Sequence, residues 1–302
     1  MFPLRYDGKV AIVTGAGGGL GRAHALALAA RGARVVVNDL GTSANGAEEN
    51  ISLAEQVVQE VIEAGGQAIA NRDSVSDGHQ IVTQALDVFG RVDIIVNNAG
   101  FLRDVSFHKM TIDDWQDLYN VHLFGAFRVT HAAWPHFRDQ RYGRVVNTSS
   151  AAGIYGNFGQ ANYSAFKLAC HGMTQSLAIE GAGRNIHVNT IAPAANSRLS
   201  RTVMSAEMLR PMRPELVSPL VCYLCHEDTK ENGGLFEIGG GWVGKLRWQR
   251  TRGVRLGQNG EHSPEDVAEH WSEIIDFEDA SSPSSMQEAS APFQAIMDEQ
   301  TE

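Results

Sequence analysis

The fold is decided by the stretch Thr14-Gly15-Ala16-Gly17-Gly18-Gly19-Leu20-Gly21. An apolar run at residues 10–13 precedes it, and an alanine-rich helical pattern at residues 20–31 follows it. Glycines between a strand and a helix let the backbone turn tightly and approach a pyrophosphate, whose charge the helix N-terminus favours. This order of strand, glycines and helix predicts dinucleotide binding. The residues expected to bind the cofactor here are Gly15, Gly19, Leu20 and Gly21.

Strand and helix patterns alternate along most of the chain. Apolar runs predict strands at residues 10–13, 34–38, 67–70, 92–96, 144–147, 186–190 and 235–238. Helical patterns lie between them, at residues 20–31, 52–64, 78–89, 112–137, 161–180 and 214–226. Parallel strands need a crossover connection, which is usually a helix. The prediction is therefore an α/β, doubly wound Rossmann fold, with a seven-stranded parallel sheet and helices on both faces.

The sequence changes character after residue 238. We expect a Rossmann domain over residues 1–238 and a C-terminal extension over residues 239–302, packed on the domain or on a neighbouring subunit. Ser263 followed by Pro264 predicts the start of a helix in this extension. From about residue 280 the chain is rich in Ser, Pro and acidic residues, a composition that favours loose order.

Charge and cysteine content exclude several classes of function. The net charge is −10, but residues 256–302 hold twelve acidic and no basic side chains, which leaves residues 1–255 at +2. This balance offers no positive field for nucleic acid, and no apolar run is long enough to span a membrane. Cys222 and Cys225 lie in an apolar helical pattern, so we interpret them as buried packing thiols and predict no metal site. Two irregular stretches, residues 41–50 and 193–214, predict a long loop and a substrate lid.

Three further strand ends carry candidate cofactor-binding residues. Asp39 ends the second strand, where a carboxylate can accept from both ribose hydroxyls and repels the 2′-phosphate of NADP; the alternative is a turn-initiating Asp. Asp73 follows the third strand, where it could accept from the adenine amino group. The fourth strand closes on Asn97-Asn98-Ala99-Gly100, whose side-chain amides and glycine would border the nicotinamide half, with Asn97, Ala99 and Gly100 as the expected cofactor-binding residues. The predicted cofactor is NAD.

The strongest catalytic pattern is Tyr163-Ser164-Ala165-Phe166-Lys167. A spacing of four places the phenol and the ammonium on one helix face, where the cation stabilises phenolate and lowers the pKa of the tyrosine. Ser150 follows a predicted strand, and its hydroxyl could hold a substrate oxygen. We expect these three residues to be catalytic, with Tyr163 and Lys167 also contacting the cofactor. A Tyr and a Lys four apart are common on helices, so the inference depends on their occurrence with Ser150 and the glycine stretch.

The run from Gly8 to about Gly241 resembles the short-chain dehydrogenase/reductase family. The motifs that carry the resemblance are Thr14-Gly15-x-x-x-Gly19-x-Gly21, Asn97-Asn98-Ala99-Gly100, Ser150 and Tyr163-x-x-x-Lys167. Further stretches, such as Gly241-Trp242-Val243-Gly244-Lys245-Leu246-Arg247-Trp248, resemble the members that act on 3-hydroxyacyl-CoA. The resemblance implies an NAD-dependent dehydrogenase that oxidises a secondary alcohol to a ketone. The expected substrate is (3R)-3-hydroxyacyl-CoA, in fatty-acid or steroid-side-chain β-oxidation.

The chain departs from the family pattern at His122. Many members have an asparagine there that holds a proton-relay water, so His122 either serves this catalytic relay or packs in the interior. Two alternatives within the family are a 3-oxoacyl carrier-protein reductase, against which Asp39 argues, and a steroid dehydrogenase. A catalytically silent NAD-binding scaffold is the alternative from another class, and the intact Ser150, Tyr163 and Lys167 argue against it.

The expected partners are a small molecule of the acyl-CoA type and a second copy of the chain, in a homodimer or homotetramer. A basic cluster in the extension, Lys245, Arg247, Arg250, Arg252 and Arg255, either holds the phosphates of coenzyme A or pairs with the acidic tail. The last residues are not a peroxisomal Ser-Lys-Leu-type address. The expected location is therefore cytoplasmic, of bacterial type, and peroxisomal if the chain is a fragment of a longer enzyme.

Overall fold

The structure is a computed structural model that describes residues 3–41, 53–196, 205–257 and 261–299. Its strands are β1 (Val10–Thr14), β2 (Arg34–Asn38), β3 (Gln67–Asn71), β4 (Ile94–Asn97), β5 (Gly143–Thr148), β6 (Ile186–Ala194), β7 (Leu235–Gly239) and β8 (Trp242–Leu246). They form one sheet in the order β3-β2-β1-β4-β5-β6-β7-β8. The strands from β1 to β7 pair in parallel, which confirms the predicted Rossmann fold.

Helices cover both faces of the sheet, as predicted. They are α1 (Gly19–Ala29), α2 (Leu53–Glu63), α3 (Gly78–Phe89), α4 (Ile112–Leu118), α5 (Ala126–Gln140), α6 (Ala151–Tyr155), α7 (Ala161–Gly181), α8 (Ala206–Leu209) and α9 (Ser218–Cys225). Ala11 and Val13 of β1 pack with α1, α2 and α9 in one apolar cluster, while Val10 and Ile12 pack with α3 and α5 in another. Successive strand side chains point to opposite faces, so each cluster is the core of one face.

The sheet has one strand more than the seven predicted. Gly240 and Gly241 adopt φ values of +58° and +91°, which glycine reaches without steric strain. They turn the chain directly after β7, and a two-residue connection of this kind joins antiparallel strands. The run Gly239-Gly240-Gly241 marked the change in sequence character, but the pairing of the segment after it is a tertiary outcome.

The single regular helix predicted over residues 112–137 is wrong in its middle. A π-helical segment, Tyr119–Gly125, separates α4 from α5. The apolar periodicity did not reveal it, because a π-helical turn adds only about one residue to the ordinary repeat. The carbonyl oxygen of His122 in this segment accepts a hydrogen bond from the Cys170 thiol at 3.3 Å. A neighbouring helix therefore helps to stabilise the wide turn that carries His122.

By its internal contacts the chain divides into two compact units, Met1–Lys245 and Leu246–Glu302. The expected division after residue 238 lies just before β8, and the packing of the extension on the domain or a neighbouring subunit stays a prediction. The second unit contains α10 (Pro264–Glu269), α11 (Trp271–Ile274) and α12 (Met286–Glu299).

Local capping explains where two helices of the second unit, α10 and α12, begin. Ser263 accepts from the Asp266 backbone nitrogen at 3.2 Å, so α10 begins where the sequence predicted. The loose order expected from about residue 280 is wrong over α12. There Ser285 Oγ accepts from the Glu288 backbone nitrogen at 3.1 Å, and this cap starts a helix that overall composition did not predict.

Other expectations have simpler outcomes. Cys222 and Cys225 are buried free thiols, which confirms their packing role. Most of the predicted long loop, from residue 42, and residues 197–204 of the predicted lid lie outside the described residues. Within the described ranges, no helix has both the length and the hydropathy that crossing a bilayer requires.

Candidate active site

The glycine stretch after β1 is held against the end of β4 by Asn98. The amide nitrogen of Asn98 donates to the carbonyl oxygens of Thr14 at 3.0 Å and Gly15 at 3.1 Å. A Cβ on Gly21 would lie 2.2 Å from the Gly15 carbonyl oxygen, so α1 approaches the loop only because residue 21 lacks a side chain. The result is a backbone cradle at a helix N-terminus, which fits a dinucleotide phosphate.

The sequence predicted that the amides after the fourth strand would border the nicotinamide half, but not that Asn98 anchors the glycine stretch. The alternation of side chains along a strand could have indicated its role, because Asn97 and Asn98 must point to opposite faces. The structure places the Asn98 amide on the glycine stretch. The Asn97 amide instead lies in the interior, donating to Thr130 Oγ1 at 2.9 Å and to Asn147 Oδ1 at 2.8 Å.

Asp39 lies buried beside the glycine cradle. Its Oδ2 accepts from the Gly17 backbone nitrogen at 2.8 Å, and its Oδ1 accepts from the Gly41 backbone nitrogen at 2.7 Å. The second bond is the turn role that was kept as an alternative, whereas the first links the carboxylate to the cradle. Each carboxylate oxygen retains a lone pair for a further donor.

Asp73 belongs to a polar cluster at the ends of β2 and β3. Its carboxylate accepts from Asn71 Nδ2 at 2.7 Å, and its carbonyl oxygen accepts from Asn38 Nδ2 at 2.8 Å. The Asp39 backbone nitrogen donates to the Asn71 carbonyl oxygen at 3.0 Å. The two predicted aspartates are therefore brought to the same edge of the sheet. Ala99 follows β4, the other neighbour of β1 in the sheet. Its backbone N–H contacts the cradle by donating to Thr14 Oγ1 at 3.1 Å.

Ser150, Tyr163 and Lys167 come together on two helices that pack beyond the end of β5. Ser150 caps the N-terminus of α6, and its side chain acts to lower the pKa of the Tyr163 phenol. Lys167 lies one turn after Tyr163 on α7, with Nζ 5.6 Å from the centre of the phenol ring. A Cβ on Gly153 would lie 2.9 Å from the Leu168 backbone nitrogen. The absence of a side chain there lets α6 approach α7 closely.

The phenol is not acidic in the protein alone. Desolvation raises the pKa of Tyr163 to about 12, while the hydrogen bond with Ser150 acts to lower it and the charge of Asp104 acts to raise it. The sequence predicted that Lys167 lowers this pKa, but desolvation dominates. The ammonium donates to the Thr148 carbonyl oxygen at 2.7 Å, and burial lowers the pKa of Lys167 to about 8.

His122 lies against the catalytic tyrosine and is only 3% exposed. The two rings meet edge to face, with centroids 5.2 Å apart. His122 Nε2 lies 2.8 Å from the Phe101 carbonyl oxygen and 3.3 Å from its nitrogen. The shorter contact makes Nε2 the donor and Nδ1 an acceptor. Burial, together with the Lys167 charge, holds the pKa of the imidazole well below its usual range, so His122 is a neutral acceptor.

A small, partly open cavity is lined by His122 and Lys167. Its polar lining includes Asn97, Asn147, Thr148, His122 and Lys167, and it offers about 10 Å³ for the centre of a water molecule. That space suits about one water. Three polar atoms of the lining, Asn97 Oδ1, Thr148 Oγ1 and His122 Nδ1, are buried without a hydrogen-bond partner among the described residues. Buried polar atoms are normally bonded, so the cavity has the chemistry of a water site.

Buried amides that the sequence analysis did not single out hold the start of α7. Gln160 Nε2 donates to Asp104 at 2.8 Å. Asn162 Nδ2 donates to the Asp114 carbonyl oxygen at 3.2 Å, while its Oδ1 accepts from the Tyr163 backbone nitrogen at 2.8 Å. The first two bonds join residues 56 and 48 positions apart. No local pattern predicts such contacts, because they depend on how α4 and the loop that carries Asp104 pack against the start of α7.

The basic cluster of the extension is partly engaged within the second unit. Arg250 donates to the Ala289 carbonyl oxygen at 2.7 Å, and Arg252 lies 3.9 Å from Asp279. These contacts favour the tail-pairing alternative for both arginines. Arg247 is exposed. No group of three or more His, Cys, Asp or Glu side chains in the described ranges is placed to hold a metal ion.

Comparison with known proteins identifies the class. The profile of the short chain dehydrogenase family matches residues 9–208, a span that contains the glycine cradle, Ser150, Tyr163 and Lys167. The chain belongs to the short-chain dehydrogenase/reductase family, as its motifs predicted. It is an oxidoreductase that acts on small-molecule substrates, in a family whose usual cofactors are NAD and NADP.

Individual relatives match nearly the whole chain. Peroxisomal multifunctional enzyme type 2 of Mus musculus is 55% identical over 296 residues, which are 98% of this chain and 40% of that protein. A short-chain type dehydrogenase/reductase of Mycobacterium tuberculosis is 46% identical over 275 residues, or 90% of this chain and 96% of that protein. The structure of full-length peroxisomal multifunctional enzyme type 2 from Drosophila melanogaster matches with a TM-score of 0.83 and 38% identity, over 98% of this chain and 50% of that chain. The chain thus spans half or less of both multifunctional enzymes.

The fit between Gly100 and His122 can be tested by substitution. A Cβ on Gly100 would lie 2.4 Å from His122 Cε1, so we expect Gly100→Ala to lower the free energy of unfolding by about 1–3 kcal/mol. Gly172→Ala is the matched control, because no element outside its own helix among the described residues comes within 4 Å of the added Cβ. The control should be neutral or stabilising by up to about 1 kcal/mol. Urea unfolding measures both variants, and equal losses would contradict the proposed fit.

Proposed function

We propose that this protein is an NAD-dependent dehydrogenase that oxidises (3R)-3-hydroxyacyl-CoA to 3-oxoacyl-CoA, in fatty-acid or steroid-side-chain β-oxidation. The observation that carries the proposal is the grouping of Ser150, whose side chain acts on the pKa of the Tyr163 phenol, with the buried Lys167 one helical turn after Tyr163. The substrate class is supported by the stretches that resemble 3-hydroxyacyl-CoA dehydrogenases. It is also supported by 55% identity with a peroxisomal multifunctional enzyme.

Each catalytic residue would have its own role in the reaction. Ser150 and Tyr163 bind the substrate hydroxyl, and Tyr163 as phenolate removes its proton. The bound dinucleotide supplies the hydride acceptor and, in its oxidised form, the positive charge that lowers the pKa of Tyr163 from about 12. Lys167 binds the nicotinamide ribose and supports the phenolate while it carries its own proton.

The cofactor preference is argued from Asp39. Its buried carboxylate borders the glycine cradle, where it can accept from the ribose hydroxyls and repel the 2′-phosphate of NADP. Asp73 at the same sheet edge would accept from the adenine amino group. Ala99 and Gly100 would border the nicotinamide half. The Asn97 side chain lies on the interior side of β4, so Asn97 would contribute to the cofactor site from there.

His122 would hold a water in the cavity beside Lys167. Its Nδ1 is an acceptor that has no hydrogen-bond partner among the described residues, and the imidazole stays neutral. A water bonded to Nδ1 can exchange a proton with the lysine, whereas the imidazole itself does not change charge. This is the relay role predicted from the position of His122.

Assembly and location belong to the same proposal. Phe127 on α5 and Ile179 on α7 are exposed apolar side chains, and such surface supports a homodimer or homotetramer. The names of the multifunctional relatives support a peroxisomal location for a fragment of a longer enzyme. The mycobacterial relative, which the chain matches over 96% of its length, supports the alternative of a free-standing enzyme, for which the expected location was cytoplasmic.

The activity is tested by following NADH absorbance with a (3R)-3-hydroxyacyl-CoA. We expect turnover with this substrate, and we expect Tyr163→Phe to lower kcat by about 100-fold or more, because the general base is lost. NAD affinity should stay near the wild-type value. Tyr223→Phe, at an exposed position of α9, is the control. If only a 3-oxoacyl carrier protein or a steroid is turned over, the protein is instead a 3-oxoacyl carrier-protein reductase or a steroid dehydrogenase. If no substrate is turned over, the catalytically silent NAD-binding scaffold is favoured.

Cofactor choice is tested with Asp39→Ala. The substitution removes a ribose acceptor and a repulsive charge together, so the kcat/KM ratio of NAD to NADP should fall by about tenfold or more, the factor that about 1.4 kcal/mol gives. Asp139→Ala removes an exposed carboxylate on α5 and should leave the ratio unchanged. If the NAD-to-NADP ratio is unchanged in Asp39→Ala, Asp39 does not select the cofactor and serves only as the turn residue that bonds Gly41.

A further inference from the structure

We propose that Asn147 and Thr174 are positioning residues that fix the orientation of the Asn97 amide, so that the cavity beside Lys167 presents an acceptor to its water. The inference rests on the proposed function, because it gives that water a part in proton exchange at Lys167. Asn97, Asn147 and Thr190 are in register on β4, β5 and β6, and Thr174 lies on α7. All four side chains are buried.

The orientation of the Asn147 amide is set, through Thr174, by the backbone carbonyl group of Cys170, which can only accept a hydrogen bond. Thr174 Oγ1 donates to the Cys170 carbonyl oxygen at 2.9 Å. A hydroxyl has one hydrogen, so Thr174 Oγ1 must be an acceptor toward its other neighbours. The Asn147 atom that lies 2.9 Å away must therefore be the amide nitrogen. Asn147 Oδ1 is then turned toward Asn97.

The same logic fixes Asn97. Its Nδ2 donates to Asn147 Oδ1 at 2.8 Å and to Thr130 Oγ1 at 2.9 Å, and these two bonds use both amide hydrogens. The remaining atom, Asn97 Oδ1, is one of the buried atoms without a hydrogen-bond partner in the described part of the chain. If Asn147 reversed, its NH₂ group would face that of Asn97. Asn97 would then have to reverse as well, and the cavity would receive N–H donors instead of an oxygen.

The acceptor pattern determines how a water in the cavity meets the lysine. A water that donates to Asn97 Oδ1 and His122 Nδ1 has used both its hydrogens, so it can only accept from Lys167 Nζ. This arrangement favours the protonated ammonium, which burial disfavours. The other titratable groups around Lys167 are Tyr163 and Cys170 on its own helix and the neutral His122 on the π-helical segment. With the amides reversed, the cavity would favour the neutral amine.

Asn97, Asn147, Thr174 and Thr190 form a buried polar row, and two of its threonines offer a matched pair of variants. Thr174→Val removes the hydroxyl that fixes Asn147. Thr190→Val also removes a buried hydroxyl, which donates to Thr174 at 2.8 Å and lies 3.3 Å from His171 Nδ1. Its loss leaves the bonds from Asn147 and to Cys170 in place. Thr174→Ser restores the hydroxyl and is the conservative rescue. The three variants are compared with the wild type as full-length proteins, by the pH profile of kcat/KM for NAD reduction and by thermal unfolding.

We expect both valine variants to lose stability, but only Thr174→Val to change the pH profile. Its alkaline limb should move to lower pH by about one unit, because Lys167 loses its proton more easily, and Thr174→Ser should restore the wild-type limb. The proposal is overturned if Thr174→Val leaves the limb in place. It is also overturned if Thr190→Val moves the limb equally, since general loosening of the row would then explain both.

A second measurement is independent of activity and separates this proposal from the proposed function. Neutron diffraction from a deuterated crystal locates the amide and water deuterium atoms. We expect the Asn147 ND₂ group to face Thr174 and the Asn97 ND₂ group to face Asn147, with a water donating to Asn97 Oδ1. Reversed amides would sink the positioning role even in an active enzyme. Predicted amide orientations in a protein that does not reduce NAD would instead show that only the proposed function fails.

Discussion

The buried ammonium of Lys167 is the constraint on which the rest of the site depends. A charge removed from water destabilises a fold unless hydrogen bonds replace its solvation. At Lys167 that replacement comes from the Thr148 carbonyl oxygen and from the polar cavity at the ends of β4 and β5. Asn97 and Asn147, the buried polar residues at the ends of these two strands, line that cavity. They provide the lysine with an environment in which it can keep its proton near neutral pH.

Close backbone approach is the second requirement of the site, and glycine provides it. Gly21 lets α1 reach the loop after β1, Gly153 lets α6 reach α7, and Gly100 lets His122 pack beside β4. At each position a Cβ would come within 3.0 Å of a neighbouring atom. The cofactor cradle and the catalytic helices are therefore positioned largely by the absence of side chains. These positions tolerate larger residues poorly, since well-packed interiors have little room for added atoms.

The π-helical segment connects helix geometry to the chemistry of the site. It carries His122, whose ring contacts Tyr163 and whose Nδ1 belongs to the cavity lining. Such segments occur often at functional sites because they displace one side chain from the regular helical repeat. Here the segment places an imidazole where the family pattern has an amide. Both groups can offer an acceptor to a water, although only the imidazole has to remain neutral in order to do so.

Much of this protein was determined by its sequence alone, because the relevant signals are local. The strand–glycine–helix order at Thr14 to Gly21, the spacing of Tyr163 and Lys167, and the alternation of elements predicted the fold class, the family and the catalytic residues. The tertiary structure decided the rest: the eighth strand, the wide helical turn at His122, the anchoring of the glycine stretch by Asn98, and the orientation of the Asn97 amide. Apart from the eighth strand, which follows β7 after two residues, these features depend on hydrogen bonds between residues far apart in sequence, such as Asn98 with Thr14 across 84 positions. Such bonds exist only once strand register and helix packing bring the partners together.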